Sequence, residues 1–384
     1  MLVEWLEEID DPRRAGYALR HDLVKILVIA IAGIASEAEN FEDVFDWATT
    51  KKAWLRRFLV LKHGIPSADT LNRVFRLLDP GQFEAAYQGW VGGIVGAVEG
   101  LVAIDGKTVR GSADGLRGGI HLVSAYATRH GLSLGQVKVA DKTNEITAIP
   151  CLLSVLDIEG CLVSIDAMGC QKEIARQIVI DNKADYLLAV KGNQPSLHLA
   201  VASAFAPAQT DALQAAGQGQ SAIDLGHGRL VHRQCWVADN DGRVDVAEWP
   251  GCRTLGLVKT TRIEDGKMGD TEYRHYISSR SLTVTELAEA VRGHWDVENG
   301  LHWHLDVTFG EDARTVKKDH GPENVSLINK IVLALLKLAP PPKSNRKISL
   351  RRRRLMAAWD DDVRIELLGM RLLSEQARPM EDAG

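Results

Sequence analysis

The sequence predicts an α/β fold, a mixed sheet with flanking helices that follows an all-α region and contains a β-rich insertion. The first 99 residues show helical spacing of apolar side chains. Short apolar runs then alternate with helical segments, and strand-like pieces separated by Asp/Gly turns follow. These patterns divide the chain into a helical region 1–99, a sheet domain 100–338 with the insertion at about 195–280, and a basic, flexible tail 339–384.

The N-terminal region is predicted to be helical throughout. Apolar residues recur at helical spacing at Leu23, Leu27, Ile31 and Ile34. Ser67 occupies an N-cap position ahead of a second apolar stripe.

Two short helical segments in this region, Lys51–Leu61 and Ser67–Leu78, are separated by Gly64-Ile-Pro66. This arrangement is compatible with a helix-turn-helix-like unit, which would bind DNA, and also with plain helical packing. The sequence favours plain helical packing.

The sheet domain begins with the predicted order strand, strand, strand, helix, strand, helix, strand over residues 101–190. A turn at His130-Gly131 joins the second and third strands, and the later connections are helical, which predicts a mixed sheet. The first of these helices is predicted over Thr147–Leu156, with Pro150 in its first turn.

Strands and helices are also predicted for the remainder of the domain. The strand-like segments of the insertion are Arg229–Val237, Thr254–Thr261 and Glu272–Ser278. A long helix is predicted to begin near Thr283, capped by Thr283 or Thr285. A last helix over residues 324–338 ends before the prolines at 340–342.

The composition argues against a secreted or membrane protein. Apolar residues make up 45% of the chain and charged residues 25%, as in ordinary globular proteins. The longest apolar run, Ile26–Ala35, is far shorter than the roughly 20 residues that cross a bilayer. The first residues lack the segments of a secretory signal, and the five cysteines include no C-x-x-C pair. We therefore expect a cytoplasmic protein with reduced thiols and no membrane partner.

The formal charge of −5 argues against a nucleic-acid partner, but two local stretches are basic. One is Lys51–Phe58, in which aromatic residues interleave with four basic ones: Lys51, Lys52, Arg56 and Arg57. The other runs from Lys343 to Arg354. Binding to DNA phosphates and the alternative, a solvated helix face and a loose tail, are equally compatible with these stretches.

Two aspartates, Asp105 and Asp166, each follow a short apolar strand and precede a small residue. A carboxylate at the tip of a buried strand needs solvent, a partner or a metal ion. Either one alone is explained as the first residue of a turn. Their positions on the first and fourth predicted strands favour a shared site.

A third carboxylate, Glu298, is predicted to lie among apolar side chains. One face of the long helix carries residues that step by three or four positions: Val284, Leu287, Val291, Trp295, Glu298, His302 and Leu305. Burying an unpaired carboxylate costs several kcal/mol, so a compensating charge is required. A divalent cation shared with the two aspartates would supply it. A salt bridge to Arg292 or His294, or a shifted and exposed face, is the alternative.

Three carboxylates without histidine or cysteine suit Mg²⁺ or Mn²⁺. Two such ions, roughly 4 Å apart, catalyse phosphoryl transfer by clamping the attacking and leaving oxygens. The sequence therefore predicts a metal-dependent enzyme with Asp105, Asp166 and Glu298 as its catalytic and metal-binding residues.

Five strings give the chain a family resemblance: Ile104-Asp-Gly-Lys-Thr-Val-Arg-Gly111, Asp141-Lys-Thr-Asn-Glu-Ile146, Ser164-Ile-Asp-Ala-Met-Gly-Cys-Gln171, Lys191-Gly-Asn-Gln194 and Arg292-Gly-His-Trp-Asp-Val-Glu-Asn299. They resemble strings of bacterial insertion-sequence transposases of the H-repeat-associated group, from about residue 5 to 338. The resemblance implies a DDE transposase with an RNase H-like fold and a helical transposase-associated domain. It also implies Asp105, Asp166 and Glu298 as the DDE residues.

The chain departs from the wider pattern on its long helix. Related enzymes carry a Tyr, Arg, Glu, Lys signature there. This chain has Val291, His294 and Leu305 at the Tyr, Arg and Lys positions. Arg292 is the residue that could replace the missing arginine in space.

Cationic and amide side chains near the predicted site could hold DNA phosphates: Lys107, Arg110, Lys142, Asn144, Lys191, Asn193, Arg292 and His294. Ordinary turn and surface roles explain each of them equally well.

We expect DNA as the partner, both the terminal repeats of the element and target DNA, and Mg²⁺ or Mn²⁺ as the cofactor. Because two DNA ends must be held together, we expect a homodimer in the synaptic complex. A nuclease of the same fold, a catalytically silent DNA-binding protein and an enzyme unrelated to DNA are the alternatives.

Overall fold

The computed structural model describes residues 2–13, 19–114, 118–139, 145–226, 229–264, 267–340 and 348–369. Contacts divide the chain into two compact units, each assembled from separate segments. Unit 1 comprises Met1–Val95, Thr108–His121 and Leu301–Gly384, and unit 2 comprises Gly96–Lys107 and Leu122–Gly300. Among the described residues, no helix is both long enough and apolar enough to cross a membrane.

The described part of unit 1 is helical. Its helices are α1 (Leu2–Leu6), α2 (Leu23–Ala35), α3 (Phe41–Thr50), α4 (Lys52–Leu55), α5 (Ala68–Leu77), α6 (Pro80–Val95), α12 (Trp303–Val307), α13 (Gly321–Leu338), α14 (Leu350–Trp359) and α15 (Asp361–Leu368). Asp22, Asn40 and Ser67 cap α2, α3 and α5 by accepting a backbone N–H from the first turn. The N-cap predicted at Ser67 is thus confirmed, whereas the predicted helix over residues 51–61 is limited to α4.

Helix α13 forms the centre of unit 1. Nearly all of its residues are buried, and it packs against α2, α5 and α6. The Nδ2 of the buried Asn324 donates to the carbonyl oxygens of Phe75 and Leu78, at 2.9 Å in both cases. These bonds satisfy carbonyl groups at the C-terminal end of α5, which have no partner within that helix.

The C-terminal region differs from the flexible tail that the sequence predicts. Residues 348–369 form α14 and α15, which pack on α13 and α2. Arg354 is only 2% exposed and donates to the backbone oxygens of Ile34, Ala38 and Thr308. The prediction of a flexible tail was wrong because an arginine-rich segment suggests exposed side chains. The Arg354 guanidinium is instead buried and hydrogen-bonded to carbonyl groups.

A nine-stranded sheet dominates the described part of unit 2. Its strands are β1 (Leu101–Thr108), β2 (His121–Ala127), β3 (Leu132–Val139), β4 (Leu162–Ile165), β5 (Asp185–Val190), β6 (Gly219–Gly226), β7 (Arg229–Asp239), β8 (Thr254–Glu264) and β9 (Lys267–Ser278). They lie in the order β3-β2-β1-β4-β5-β9-β8-β7-β6, with β1, β4 and β5 parallel. The predicted mixed sheet is confirmed, and its first five strands follow one another along the chain as predicted.

Helices connect and cover these strands: α7 (Glu145–Leu153), α8 (Lys172–Arg176), α9 (Pro195–Ser203), α10 (Pro207–Ala215) and α11 (Val284–His294). Helix α7 is already formed at Glu145, so Pro150 lies inside it and not in its first turn. There the proline ring cannot donate to the carbonyl of Ile146. Helix α11 begins with a capping box in which Thr283 and Glu286 exchange hydrogen bonds, which confirms Thr283 as the cap.

The insertion continues the central sheet. Strands β6 to β9 are antiparallel, and β9 pairs with β5 through Leu187↔Ser278 to Val190↔His275. Strand β6 was not predicted from the sequence. Helix α11 packs closely on this part of the sheet, since a Cβ added at Gly256 would lie 2.9 Å from Leu287.

Candidate active site

The sheet places Asp105 and Asp166 side by side. Parallel strands β1 and β4 pair from Leu101↔Leu162 to Ile104↔Ile165, so the two aspartates are the next residues in the same register. Neighbouring strands lie about 4.8 Å apart. The two carboxylates predicted from separate strands therefore share one edge of the sheet.

The sequence predicts that Asp105 follows the end of its strand. In the structure Asp105 lies inside β1, which continues to Thr108. Strand β4 ends at Ile165, and β1 therefore extends beyond its neighbour. Asp105 is partly buried at this point, whereas Asp166 is exposed in the turn that follows β4.

Hydrogen bonds fix the turn that contains Asp166. Its Oδ1 accepts from the backbone N–H groups of Met168 (3.0 Å) and Gly169 (3.3 Å). The Nδ2 of Asn193, in the loop after β5, donates to the carbonyl of Ala167 at 2.7 Å. The turn role considered for Asp166 is therefore real, and it leaves Oδ2 for other interactions.

Glu298 is exposed, so the prediction that it lies on a core-facing stripe was wrong. Helix α11 ends at His294, and a π-helical turn follows at Glu298–His302. The buried residues along this segment are Leu287, Ala290, Val297 and Leu301, so from Ala290 onward the buried face lies one position before the predicted stripe. Among the alternatives at the sequence level, the shifted face is the one observed.

The three carboxylates nevertheless line one cavity of about 210 Å³ in unit 2. Lys191 and Arg274 contribute positive charge to its wall, and His294 and Trp295 contribute rings. Glu298 reaches this cavity from the π-helical turn rather than from a buried helix face. The geometry thus brings together the residues that the sequence selects, with Glu298 in a different environment.

The carboxylates affect one another electrostatically. The pKa of Asp105 is raised to about 7, mainly by burial and also by the charges of Asp166, Glu298 and Glu145, while a hydrogen bond from the Gly106 backbone opposes the shift. Proximity of like charges is the arrangement that a bound cation relieves.

His294 lies beside this acidic cluster. Its Nδ1 is 2.9 Å from the Oγ of Ser164 on β4. Burial lowers the pKa of His294, the nearby Arg274 lowers it further, and Asp166 and Ser164 oppose the change. A neutral imidazole at this position can orient the end of β4 without adding a positive charge.

The donor chemistry fits a hard cation, because the cavity offers carboxylate oxygens. Among the described residues, however, no three His, Cys, Asp or Glu side chains are grouped closely enough to hold a metal ion. A cation would therefore require side-chain rotation, which the exposed Asp166 and Glu298 can make.

Comparison with known proteins identifies the family. A family model described as "Transposase DDE domain" matches residues 96–335, and one described as "DDE_Tnp_1-associated" matches residues 3–91. The chain belongs to the DDE transposase family. The family resemblance is confirmed, and so is the expected mixed α/β sheet.

Several relatives of this transposase-family chain are similar over most of their length. "Putative transposase YncI" of Escherichia coli O157:H7 is 39% identical, over 88% of this chain and 87% of the relative. "H repeat-associated putative transposase YhhI" of Escherichia coli K12 is 37% identical, over 94% and 95%. The cryo-EM structure of a piggyBac transposase synaptic complex with hairpin DNA aligns over 99% of this chain and 79% of that chain. Its TM-score of 0.42 and identity of 11% are too low to support an inference.

The predicted DNA-contacting residues of this DDE transposase have different surroundings. Lys191 lines the carboxylate cavity, and Lys107 lies partly buried on β1. Asn193 supports the Asp166 turn. Arg110, in unit 1, is 82% exposed and 3.8 Å from Asp312. Lys142 and Asn144 lie outside the described residues.

Arg292 does not replace the arginine missing from the long helix. Its Nη2 pairs with both carboxylate oxygens of Asp224 on β6, at 3.2 and 3.0 Å, outside the carboxylate cavity. Arg274 on β9 enters that cavity instead. The sequence could not identify it, because β9 reaches the site only through its pairing with β5.

The basic stretch Lys51–Phe58 in unit 1 has buried aromatic side chains and exposed arginines. Trp54 and Phe58 are buried, and the guanidinium of Arg364 lies 4.6 Å from the Trp54 ring centroid. Lys51 pairs with Asp361 at 2.8 Å, and Lys52 is partly buried. Arg56 and Arg57 are exposed. Of the second stretch, Lys343, Arg346 and Lys347 lie outside the described residues.

Proposed function

We propose that this protein is an active transposase that cleaves DNA at the ends of an insertion-sequence element and joins the strands to target DNA. The observation that carries the proposal is the pairing of β1 with β4, which places Asp105 and Asp166 in register beside Glu298 in one cavity. Family membership supports the assignment to a transposase. The proposal includes a domain boundary near residue 99, a cytoplasmic location with association to the nucleoid on DNA, and a dimer at synapsis.

Asp105, Asp166 and Glu298 would hold Mg²⁺ or Mn²⁺, which activates the attacking oxygen and stabilises the leaving oxygen. The residues around them perform the positioning. Hydrogen bonds to Met168 and Gly169 hold the Asp166 carboxylate at the strand end. Lys191 supplies a positive charge to a phosphate that enters the cavity.

The test incubates the protein with DNA that carries the terminal repeats flanking its own gene, with Mg²⁺ or Mn²⁺. We expect cleaved or joined products from the wild type and none from Asp166→Asn. Glu159→Gln is the matched control, because Glu159 is an exposed carboxylate before the opposite end of β4. Equal activity in Asp166→Asn and wild type, or binding without any metal-dependent product, would refute the proposal.

A catalytically silent DNA-binding protein remains the second candidate. It is favoured by one observation, namely that no three metal-ligating side chains among the described residues are already grouped. It predicts binding to the same DNA without products at any concentration of Mg²⁺ or Mn²⁺. The product assay separates the two candidates.

A further inference from the structure

A large groove adjoins the carboxylate cavity in unit 2. It measures about 900 Å³ and lies between helix α11 and one face of strands β6 to β9. The cavity and the groove share Arg274, Val291 and Trp295 as wall residues. A polymer with one phosphate in the cavity can therefore continue directly into the groove.

Arginines are concentrated on the sheet wall of this groove. Arg233, Arg262 and Arg274 project from β7, β8 and β9, with Glu272 as the acidic residue of that wall. Helix α11 contributes Arg292 and the acidic Glu289, and Asp296 lies just after its end. We call the set of Arg233, Arg262, Arg274 and Arg292 the arginine groove. Its positive side is the sheet wall.

Arg274 is held at the junction of cavity and groove. Its Nε and Nη2 donate to the two oxygens of Glu272 at 2.8 and 3.2 Å. Its guanidinium also lies 5.1 Å from the ring centroid of Trp295, which is 41% exposed. A cation beside an exposed aromatic ring is the combination that binds both phosphates and bases of a nucleic-acid strand.

Asp224 holds two further arginines at the edge of the groove. It accepts from Arg292 at 3.2 and 3.0 Å and also pairs with Arg233. A carboxylate between two guanidinium groups has the charge and fork geometry that a phosphate group would have there. Arg262 is exposed and forms no ion pair with any residue that the structure describes.

We propose that the arginine groove binds the phosphodiester backbone of the DNA strand that leads away from the carboxylate cavity, and that a DNA phosphate replaces Asp224 between Arg233 and Arg292. The inference rests on the proposed function, because it assumes that the substrate at the carboxylates is DNA. It assigns the insertion to substrate binding, because the cavity and the groove share wall residues.

The test measures binding of a fluorescently labelled duplex of mixed sequence without divalent cations, by anisotropy at several salt concentrations. One lost phosphate contact lowers the slope of log K against log salt by about 0.9, which weakens binding about eightfold at about 0.1 M salt. We expect that change for Arg262→Gln, which removes an exposed side chain without disturbing an ion pair. Asp224→Asn is expected to bind more tightly, because it leaves two arginines available to phosphates.

Lys259→Gln provides the matched control. Lys259 lies on β8 between Val258 and Thr260, so it projects from the opposite face, where its Nζ lies 5.9 Å from the Tyr273 ring centroid. Equal binding by Arg262→Gln and Lys259→Gln, or unchanged or weaker binding by Asp224→Asn, would overturn the groove. Metal-dependent products are measured in a separate assay. The binding data can therefore refute the groove while the product assay supports the transposase assignment, or the product assay can refute the assignment while the binding data support the groove.

Discussion

At the scale of single residues, the candidate site consists of carboxylates that line one cavity at one edge of the sheet. The sequence selects Asp105, Asp166 and Glu298 correctly as residues of one cavity. It could not predict their environments, because Glu298 lies one position away from the buried face of its helix and Asp105 lies inside β1 and not at its end. Steps of three and four residues allow two stripes that differ by one position, and the sequence does not show which of them packs against the core.

The raised pKa of Asp105, about 7, makes stability depend on pH. The unfolded chain ionises this group near its ordinary pKa of 3.8, so the folded protein binds an extra proton between those values. Without divalent cations, the free energy of unfolding should therefore fall as pH rises from about 4 to about 7, by at most about 1.4 kcal/mol per pH unit. Asp105→Asn should lose this contribution.

Urea unfolding at about pH 5 and about pH 8 measures this difference, with Glu159→Gln expected to keep the wild-type dependence. Adding Mg²⁺ at the higher pH should stabilise the wild type more than Asp105→Asn, since binding to the folded state alone stabilises it. A pH dependence identical in Asp105→Asn and wild type would contradict the electrostatic account.

Asn193 offers a test of positioning. Asn193→Ala removes its bond to the Ala167 carbonyl, which should cost about 1 kcal/mol of stability and loosen the Asp166 turn. Product formation should fall about tenfold or more, because small displacements of a catalytic group are costly. Asn182→Ala is the control, as Asn182 makes a similar bond of 2.8 Å to Leu153, whose carbonyl lies in α7. Equal activity in both variants would argue against the positioning role.

At the scale of helices and strands, caps and apolar runs were predictable and long-range partners were not. Ser67 and Thr283 cap helices as their sequence contexts indicate, because an N-cap acts on the next three residues. Helix α14 escaped prediction because its arginines suggest solvent exposure. The bonds from Arg354 to Ile34 and Ala38 connect residues more than three hundred positions apart, and no local pattern records such a contact.

Arg354→Ala should therefore destabilise unit 1 by about 3 kcal/mol or more, since it removes the hydrogen-bonded guanidinium from three buried carbonyl groups. Arg352→Ala, at an exposed position of the same helix, should have little effect. Urea unfolding gives the free energies, and hydrogen exchange should show faster exchange in α2 and α14 of Arg354→Ala. The same stability in both variants would indicate the loose tail that the sequence predicts.

At the scale of the whole molecule, the overall charge of −5 does not describe the local surfaces. The arginines of the sheet wall and the exposed Arg56 and Arg57 are local features within an acidic chain. The order of the first five strands followed from alternating apolar runs and turns. The remaining sheet did not, because the position of β9 beside β5 is set by pairing between distant segments. The sequence therefore predicts a mixed sheet and the succession of its first five strands along the chain, and not the neighbour that brings Arg274 to the site.

That pairing also has a consequence for how the protein is made. During synthesis, β5 emerges from the ribosome long before β9, its neighbour on the side away from β4. Until Lys267–Ser278 has been translated, one edge of β5 lacks its final hydrogen-bonding partner, and such an edge can pair with other chains. A gene interrupted within the insertion would thus yield a fragment that is prone to aggregate as well as inactive. Continuous translation through β9 protects the nascent central sheet.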